Sequence, residues 1–389
     1  MNPDKIRVAI VGCGHRLRDV AQRLVSQKTS ASARIEIVAL HDPSPRSVAA
    51  ARAAVAPDAA GHADLDSLLA RQDIDWVMIG SWNCAHADQI VAALRAGKHV
   101  FAEKPLATTL EDCLRIRAAL EAAPDRRFFF GLVLRYAPIY RKIKELLQAG
   151  VVGRPVSFEF NETLDFNHGG YIHGNWRRHR RFAGTHLLEK CCHDFDLVNW
   201  LLESVPVRAA SFGGRDVFTP ANKHLADEVA PAPDGRAPYL AWVDPERVDP
   251  FSDGASIVDN QVAILEYANG VRATFHTNCH AALRERRIYL LGTRGAIRAD
   301  AITGRIEWQR IGFDTPVEAF ELPARGSHAG ADDVMARHLA ETMVNGAAPL
   351  ATLDDGLRAA VACLGVDDAL DTASVVDLRP LWDRAGVAL

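Results

Sequence analysis

Three consecutive residues, Glu103, Lys104 and Pro105, combine an acid, an ammonium group and a rigid backbone position. They directly follow residues 98–102, a strand-like run that ends in Val-Phe-Ala. A lysine that loses its water beside a bound ligand can have its pKa lowered into the range useful for proton transfer. Pro105 restricts the backbone where the lysine must be aimed. We therefore predict that Lys104 is an acid/base residue, although the tripeptide alone also fits a surface lysine at a strand end.

A second group of ionisable residues recurs at three- and four-residue steps between residues 185 and 202, which places its members on one helix face. Three interpretations stay open. In the first, the face lines a substrate pocket, where His193 relays a proton with Lys104. In the second, imidazoles and a carboxylate bind a metal ion. In the third, the face is solvated and Thr185 caps the helix. The members are His186, Glu189, Lys190, His193 and Asp196, and Trp200 lies on the same face.

The elements that must position Lys104 alternate between strand and helix. Each apolar run of strand length is followed by a helical pattern, which predicts a doubly wound parallel sheet of the Rossmann type. The predicted strands are residues 6–11, 35–40, 76–79, 99–102 and 128–134.

A glycine turn follows the first of these strands. Gly12 and Gly14 let the backbone approach a pyrophosphate at a helix N-terminus, whereas the third position of the pattern holds Leu17. Asp42 ends the second strand, where an acid binds the adenosine ribose and disfavours a 2′-phosphate. It could equally form an Asp-Pro turn that caps the next helix. We predict a dinucleotide cofactor, NAD, with NADP as the alternative.

The pattern changes after about residue 135. Longer strand-like runs and a hairpin signal at residues 267–270 predict a mostly antiparallel open sheet, with helices near 185–202, 332–345 and 354–370. We therefore divide the chain into a nucleotide-binding domain, 1–134, and an α+β domain, 135–389. Residues 216–255 are rich in Pro, Asp and Ala and predict a long loop or insertion.

Composition excludes several classes of protein. The chain has 389 residues and a net charge of −4, so it carries no broad basic field and we expect no nucleic-acid partner. It lacks an apolar run of roughly 18 residues, the length a membrane helix needs, and no signal peptide is evident, so we expect a cytoplasmic protein. Its seven cysteines show no CxxC spacing, which argues against a disulfide framework or zinc knuckle.

Several motifs occur in the order in which the glucose–fructose oxidoreductase/inositol dehydrogenase/rhizopine catabolism (Gfo/Idh/MocA) family has them, and the chain resembles that family. The resemblance implies an NAD(P)-binding domain, a C-terminal α/β domain with a large open sheet, and oxidation or reduction of sugars or cyclitols. The matching segments are residues 8–14, Asn83 with His86, 96–100, 103–107, 153–155, Trp176 with Arg177, and 193–196.

The resemblance also implies roles for particular residues. A lysine of the Glu-Lys-Pro motif and a histidine form the family's acid/base site, and they match Lys104 and His193. Glu189 stands where the family has an aspartate, and Lys190 adds a second ammonium group beside it. Trp82 replaces a frequent proline, so its indole either lies against the cofactor or packs the loop.

The predicted site therefore has three parts, and we expect no metal in it. The catalytic residues are Lys104, His193 and Glu189. The cofactor-binding residues are Gly12, Gly14, His15, Arg16, Asp42, Ser81, Trp82, Asn83, His86 and Glu103. The substrate-binding residues are Lys104, Arg135, Trp176, Arg177, Glu189, Lys190, His193 and Asp194.

The expected function is an NAD(P)-dependent dehydrogenase that oxidises or reduces a secondary hydroxyl of a sugar, sugar derivative or cyclitol. The basic run at residues 176–181 would also suit an anionic substrate. Two alternatives stay open: a lyase or glycoside-cleaving enzyme that oxidises its substrate transiently with tightly bound NAD, and a non-catalytic nucleotide sensor. The open sheet must be covered, so we expect a homodimer or homotetramer.

Overall fold

The computed structural model describes residues 5–242, 246–324, 326 and 328–389. The first six strands are β1 (Ile6–Val11), β2 (Ile35–His41), β3 (Ala60–His62), β4 (Trp76–Ile79), β5 (His99–Ala102) and β6 (Phe128–Phe130). The others are β7 (Pro155–Asp165), β8 (Pro206–Gly214), β9 (Asn260–Tyr267), β10 (Arg272–Ala281), β11 (Arg287–Gly292), β12 (Gly295–Asp300), β13 (Arg305–Arg310), β14 (Glu318–Glu321) and β15 (Val376–Asp377).

The α-helices before residue 150 are α1 (His15–Ser26), α2 (Pro45–Val55), α3 (Leu65–Leu69), α4 (His86–Arg95), α5 (Leu110–Glu121) and α6 (Pro138–Gln148). Those after it are α7 (Phe166–His173), α8 (Arg180–Ala183), α9 (Cys192–Leu202), α10 (Leu225–Glu228), α11 (Ala331–Asn345), α12 (Leu353–Asp371) and α13 (Arg379–Arg384). A π-helical segment, Leu187–Cys191, directly precedes α9.

Contacts divide the chain into two units, Met1–Ala137 with Gly330–Ala360, and Pro138–Ala329 with Val361–Leu389. The first unit therefore includes α11, which returns from late in the sequence. A linear boundary at residue 134 does not describe such a return, and the division into domains 1–134 and 135–389 stays a prediction.

The first unit contains a parallel sheet of six strands in the order β3-β2-β1-β4-β5-β6. This is the doubly wound order of dinucleotide-binding folds, and it places the carboxyl ends of β1, β2, β4 and β5 along one edge. The predicted Rossmann sheet is confirmed. Only the short edge strand β3 was missed, because its residues Ala-Gly-His carry no strand pattern.

Leu17 occupies the position where the fingerprint usually has a small residue, and the opposite wall makes room for it. Leu17 is fully buried, and a β-carbon at Gly80 would lie 2.9 Å from that of Leu17. The small residue that lets α1 pack closely on the sheet thus stands at the end of β4 instead of on the helix.

The second unit contains a mixed sheet of nine strands in the order β14-β13-β12-β11-β7-β10-β9-β8-β15. Among the described strands of this second sheet, only β7 and β10 pair in parallel, so the predicted, mostly antiparallel sheet is confirmed. Burial alternates along β9 and β10, which shows that one face is covered and one is open. The open face carries large apolar side chains, including Phe212, Ile264 and Tyr289.

Two predicted elements differ from the observed ones. The strand expected at residues 128–134 ends at Phe130, and Val133–Tyr136 forms a 3-10 turn. The helix expected at 185–202 is not uniformly α-helical, because Leu187–Cys191 is a π-helical segment. A π turn accommodates an extra residue, so the side chains on either side of it no longer share one face.

Residues 216–255 contain only short helical turns in their described part, as expected for a long loop, but they build a core of their own. Phe218, Tyr239 and Phe251 are each at most 2% exposed and pack on Ile172 and Cys279. The Asp259 carboxylate fixes the start of the segment by accepting hydrogen bonds from the backbone amides of residues 216–218. The insertion is therefore a packed element of the second unit.

Candidate active site

The glycine turn after β1 has the shape that a dinucleotide requires. Gly12 has a φ of +86°, and a β-carbon there would lie 2.4 Å from the Ser81 backbone nitrogen. A β-carbon at Gly14 would meet nothing within 4 Å, so this side of the turn is open. Gly14 is also the N-cap of α1, where backbone amides and the helix dipole favour an anion. These features fit a pyrophosphate over the turn.

Asp42 at the end of β2 is held by the same turn. Its carboxylate oxygens accept hydrogen bonds from the backbone nitrogens of Cys13, at 2.7 Å, and Ser44, at 2.8 Å. Ser44, not Asp42, caps α2 by accepting from the Ser47 nitrogen. The alternative role for Asp42 as a helix cap is therefore not observed, and the carboxylate is oriented beside the glycine turn.

Arg16 and Glu103 were both predicted to bind cofactor, and the structure joins them to each other. The Arg16 guanidinium donates to Glu103 Oε1 at 2.9 Å and to Asp332 Oδ1, on α11, at 2.6 Å. Burial would lower the pKa of Arg16, but the two carboxylates outweigh it and raise that pKa. This ion-pair network links α1, β5 and α11, and it holds Glu103 directly beside Lys104.

Lys104 lies at the carboxyl end of β5 and is partly buried. Its backbone nitrogen donates to Glu103 Oε2 at 3.3 Å, and the bond from Lys104 to Pro105 is cis. The His86 ring lies between the Pro105 carbonyl oxygen, at 2.8 Å, and that of Ser81, at 3.2 Å. His86 therefore ties the turn after β4 to the backbone that carries the lysine.

The remaining predicted cofactor residues surround the same sheet edge. Asn83 is buried, His15 is exposed on the first turn of α1, and the Ser81 hydroxyl donates to Gln89. Trp82 is 39% exposed, so part of its indole is open to solvent.

In the second unit, the π-helical segment presents Glu189 and Lys190. Glu189 Oε1 accepts from Arg177 Nε at 2.8 Å, and Arg177 also donates to the Tyr171 hydroxyl at 2.9 Å. Lys190 Nζ lies 3.3 Å from Glu162 Oε1 on β7. π-helical turns are frequent at functional sites because they re-aim side chains. Here one turn directs a carboxylate and an ammonium group to neighbouring partners.

Asp194 was predicted to bind substrate, but its contacts are internal. Arg286 donates to both of its oxygens, at 2.8 and 2.7 Å, and to Glu162 at 3.1 Å. All three side chains are nearly fully buried. Burial raises the pKa of Asp194, Arg286 opposes that rise, and Glu162 adds to it. Asp194 therefore anchors α9 to β7, and we do not include it among the proposed substrate ligands.

The two histidines of the helix face different surroundings. The His186 ring lies 3.1 Å from the Thr277 hydroxyl on β10 and 3.8 Å from the sulfurs of Cys191 and Cys279. His193 is buried, and its ring centroid lies 6.1 Å from that of His328. The π turn separates their directions, so His186 belongs to the sheet side of the helix.

The metal interpretation used His186, Glu189 and His193. In the described part of the chain, a different group, Glu162, Cys191 and Asp194, has ligand atoms within 4.8 Å of one another. Arg286 already occupies the two carboxylates of that group. The donor set is therefore that of a buried ion-pair cluster.

Three of the arginines in the basic run at residues 176–181 bind other groups of the protein. Arg177 binds Glu189, Arg178 binds backbone carbonyls of residues 252 and 253, and Arg180 pairs with Asp371. An anionic substrate is therefore not favoured by these three guanidiniums. Arg135, another predicted ligand, is buried against the Leu350 carbonyl and the Asp355 carboxylate in the first unit, which is a structural role.

Sequence reasoning missed Glu162, Asp332, Arg286 and Trp242. Glu162 lies in a strand, Arg286 in a run of charges before a strand, and Trp242 in the aperiodic insertion, while Asp332 follows Glu103 by 229 residues (332 − 103). None carries a spacing signal, since only the fold brings each to its partner.

Fold and site together define an NAD-binding oxidoreductase. Residues 6–130 match the model described as "Oxidoreductase family, NAD-binding Rossmann fold", and residues 144–364 match "Oxidoreductase family, C-terminal alpha/beta domain". The chain therefore belongs to the Gfo/Idh/MocA oxidoreductase family. This confirms the resemblance, the enzyme class at the level of an oxidoreductase, and the NAD-binding domain.

Two relatives are similar in sequence to this chain over different lengths. YteT of Bacillus subtilis (strain 168), provisionally described as an oxidoreductase, is 25% identical over 426 residues, covering 96% of this chain and 97% of that protein. Inositol 2-dehydrogenase 3 of Saccharopolyspora erythraea is 34% identical over 210 residues, covering 52% of this chain and 56% of that enzyme. The chain thus aligns with little more than half the length of this inositol dehydrogenase.

Solved structures show the same fold over nearly the whole chain. Myo-inositol 2-dehydrogenase from Lactobacillus plantarum has a TM-score of 0.74 at 20% identity and covers 96% of this chain and 99% of its own. Levoglucosan dehydrogenase in complex with NADH and levoglucosan has a TM-score of 0.76 at 17% identity, with coverage of 96% and 99%. At these identities the likeness concerns the fold alone.

The described helices include none long and apolar enough to cross a bilayer.

The start of the site helix depends on a buried carboxyl, and its titration can be tested. Asp367 on α12 accepts from the Gln261 amide at 3.3 Å and interacts with the Thr185 side chain. Burial raises the pKa of Asp367 to about 7, and the hydrogen bonds only partly oppose it. The folded protein therefore holds this proton more tightly than the unfolded chain, so the contribution to stability is lost as pH rises from about 4 to 7.

We expect Asp367→Asn to remove this titration and reduce the drop in melting temperature between pH 5 and pH 8 by about 2 °C or more. Differential scanning fluorimetry of both proteins measures the drop. Asp354→Asn is the matched control, since that carboxyl lies at an exposed position of the same helix. An unchanged drop in Asp367→Asn would contradict the assignment.

Proposed function

We propose that this chain is an NAD-dependent dehydrogenase that oxidises a secondary hydroxyl of a sugar, sugar derivative or cyclitol. The observation that carries the proposal is the position of Lys104, directly after β5, on the sheet edge where the glycine turn and Asp42 fit a dinucleotide. The family, and relatives named for inositol, support a polyhydroxylated substrate.

In the proposed reaction, Lys104 accepts the proton of the reacting hydroxyl while the C–H bond of the same carbon breaks. NAD, when held at the glycine turn and Asp42, would supply the hydride acceptor for oxidation of the carbinol carbon to a carbonyl. Glu103, oriented by Arg16, keeps a carboxylate beside the lysine and stabilises the ammonium group that forms. Oxidation of one hydroxyl thus yields one carbonyl, one proton and one reduced cofactor.

His193 is the proposed partner of Lys104 in proton transfer, and Glu189 and Lys190 are the proposed ligands of neighbouring hydroxyls. Arg177 donates a charge-assisted hydrogen bond to Glu189 and orients its side chain, whose oxygens can accept further hydrogen bonds from the substrate. The Glu162 carboxylate similarly orients Lys190. Directed polar groups of this kind give a pocket its specificity.

We expect Lys104→Ala to lower kcat/KM at least 100-fold, since general acid/base groups contribute about that much or more. Binding of NAD, measured by calorimetry, should change less than about threefold. The assay follows NADH absorbance with a panel of pyranoses, cyclitols and glycosides, and Lys28→Ala, at an exposed site, is the control. Retained turnover with lost NAD affinity would refute the acid/base role. Release of an aglycone without NADH would instead favour the lyase alternative, and inertness with NAD bound the sensor.

A second prediction concerns cofactor choice. Asp42→Ala should lower the ratio of kcat/KM for NAD to that for NADP by about tenfold, because the carboxylate no longer binds the ribose hydroxyls or repels a 2′-phosphate. Steady-state kinetics with both cofactors measure the ratio. Ser44→Ala, which removes only the cap of α2, is the control. A ratio that stays at the wild-type value would count against the ribose role.

We also propose that the open face of the nine-stranded sheet forms a homo-oligomer. Phe212 is 69% and Ile264 62% exposed there, and apolar surface of this kind marks an interface. Ile264→Glu should shift the protein to a smaller species in sedimentation equilibrium. Ile311→Glu, at an equally exposed site outside the strands, should not. A wild-type monomer would sink the proposal.

A further inference from the structure

The insertion, residues 216–255, reaches the proposed substrate pocket through one aromatic residue. The ring of Trp242 lies 4.8 Å from that of Tyr171 and 5.0 Å from that of His168, in edge-to-face contacts. Tyr171 accepts a hydrogen bond from Arg177, which in turn binds Glu189. A continuous row of side chains therefore connects Trp242 to the carboxylate that we assign to substrate hydroxyls.

Arg177 brings a further ring into this row. Its guanidinium lies 4.3 Å from the ring centroid of Trp176 and 5.0 Å from that of Tyr171, close enough for cation–π attraction to both. Tyr171, Trp176 and Trp242 are all only partly buried. We call these three rings the aromatic wall. A wall that combines apolar ring surface with polar groups is typical of a ligand pocket.

The insertion holds Trp242 in place by contacts close to it in sequence. The Leu240 nitrogen donates to the Asn167 side chain on α7 at 3.2 Å. A β-carbon at Gly170 would lie 2.2 Å from the Tyr239 carbonyl oxygen, so the insertion backbone rests directly on the helix. Trp242 follows two residues later, so these contacts of Tyr239 and Leu240 fix the backbone from which its ring reaches Tyr171 and His168.

Arg178 fastens the other end of the insertion. It is 3% exposed, and its guanidinium donates to the Ser252 hydroxyl at 2.7 Å, to the Ser252 carbonyl at 2.6 Å and to the Asp253 carbonyl. Arg177 faces the site helix and Arg178 faces the insertion, so adjacent residues connect the two. The insertion is thus built onto the segment that carries Trp176 and Arg177.

We propose that the aromatic wall is an accessory subsite for a second ring of the substrate, which is then a glycoside instead of a free sugar or cyclitol. The hydroxyls of the reacting ring would be bound at Glu189 and Lys190, while the flat face of the attached ring packs on Trp242. That ring is either a second pyranose or an aromatic aglycone, since both present a flat, largely apolar face. This inference rests on the proposed dehydrogenase function for the identity of the reacting ring.

The test compares Trp242→Ala with the wild type on three ligands that share one sugar: a methyl glycoside, an aryl glycoside and a disaccharide. We expect binding of the aryl glycoside, the disaccharide or both to weaken about tenfold, with the methyl glycoside changing less than threefold. Trp242→Phe should recover part of the loss, because it restores an aromatic face. If binding of the aryl glycoside weakens, the second ring is an aromatic aglycone; if binding of the disaccharide weakens, it is a second sugar.

Binding is measured by calorimetry in the presence of NAD, and kcat/KM is measured beside it. Absence of turnover with every ligand would refute the proposed function while the binding ratios still test the wall. Equal weakening of all three ligands, or of none, would overturn the subsite even where turnover is normal. Leu225→Ala is the control for a loosened insertion, since Leu225 packs on the core of the insertion; it should affect the three ligands equally.

Discussion

The second unit depends on one buried guanidinium. Arg286 stands at the start of β11 and binds Asp194 on α9 and Glu162 on β7 with nearly complete exclusion of water. Removing one partner of such a cluster costs about 3–5 kcal/mol, because the remaining charge stays buried and unpaired. The position of α9 on the sheet is therefore fixed by charge as well as by packing. His193 directly precedes Asp194 in the chain, and Lys190 pairs with the same Glu162 that Arg286 binds. The cluster therefore fixes the positions of these two candidate site residues of the second unit.

One arginine also binds two carboxylates in the first unit. Arg16 connects the first turn of α1, the residue before Lys104, and α11. Arginine suits this task because its planar group serves several carboxylates at once. In both units, then, charged residues that the motifs place near a ligand turn out to orient other groups. In the second unit, Glu189 pairs with Arg177 and Lys190 pairs with Glu162, so each of these two side chains is oriented by a charged neighbour.

The sequence was sufficient for the order of strands and helices in the first unit, because parallel strands buried on both faces are continuous apolar runs. It also placed the glycine turn, Asp42 and Lys104 at the ends of β1, β2 and β5, while their roles stay predictions. It was insufficient for the π turn at Leu187–Cys191, since three- and four-residue steps assume an α-helix throughout. It also could not assign Asp194 or Arg135, because a charge looks the same in sequence whether its partner is a substrate or an arginine or aspartate far along the chain.

The two glycines of α7 carry a consequence for how this protein can be altered. A β-carbon at Gly169 would lie 1.8 Å from the Cys279 carbonyl oxygen, and one at Gly170 would collide with Tyr239. Because these two positions have no side chain, the backbones at Cys279 and Tyr239 can pack directly against α7. Transplanting residues 216–255 into a related scaffold therefore requires moving α7 with them, and the pair behaves as a single exchangeable module. Recombination between relatives that cuts between the two would leave the inserted segment without a surface to rest on.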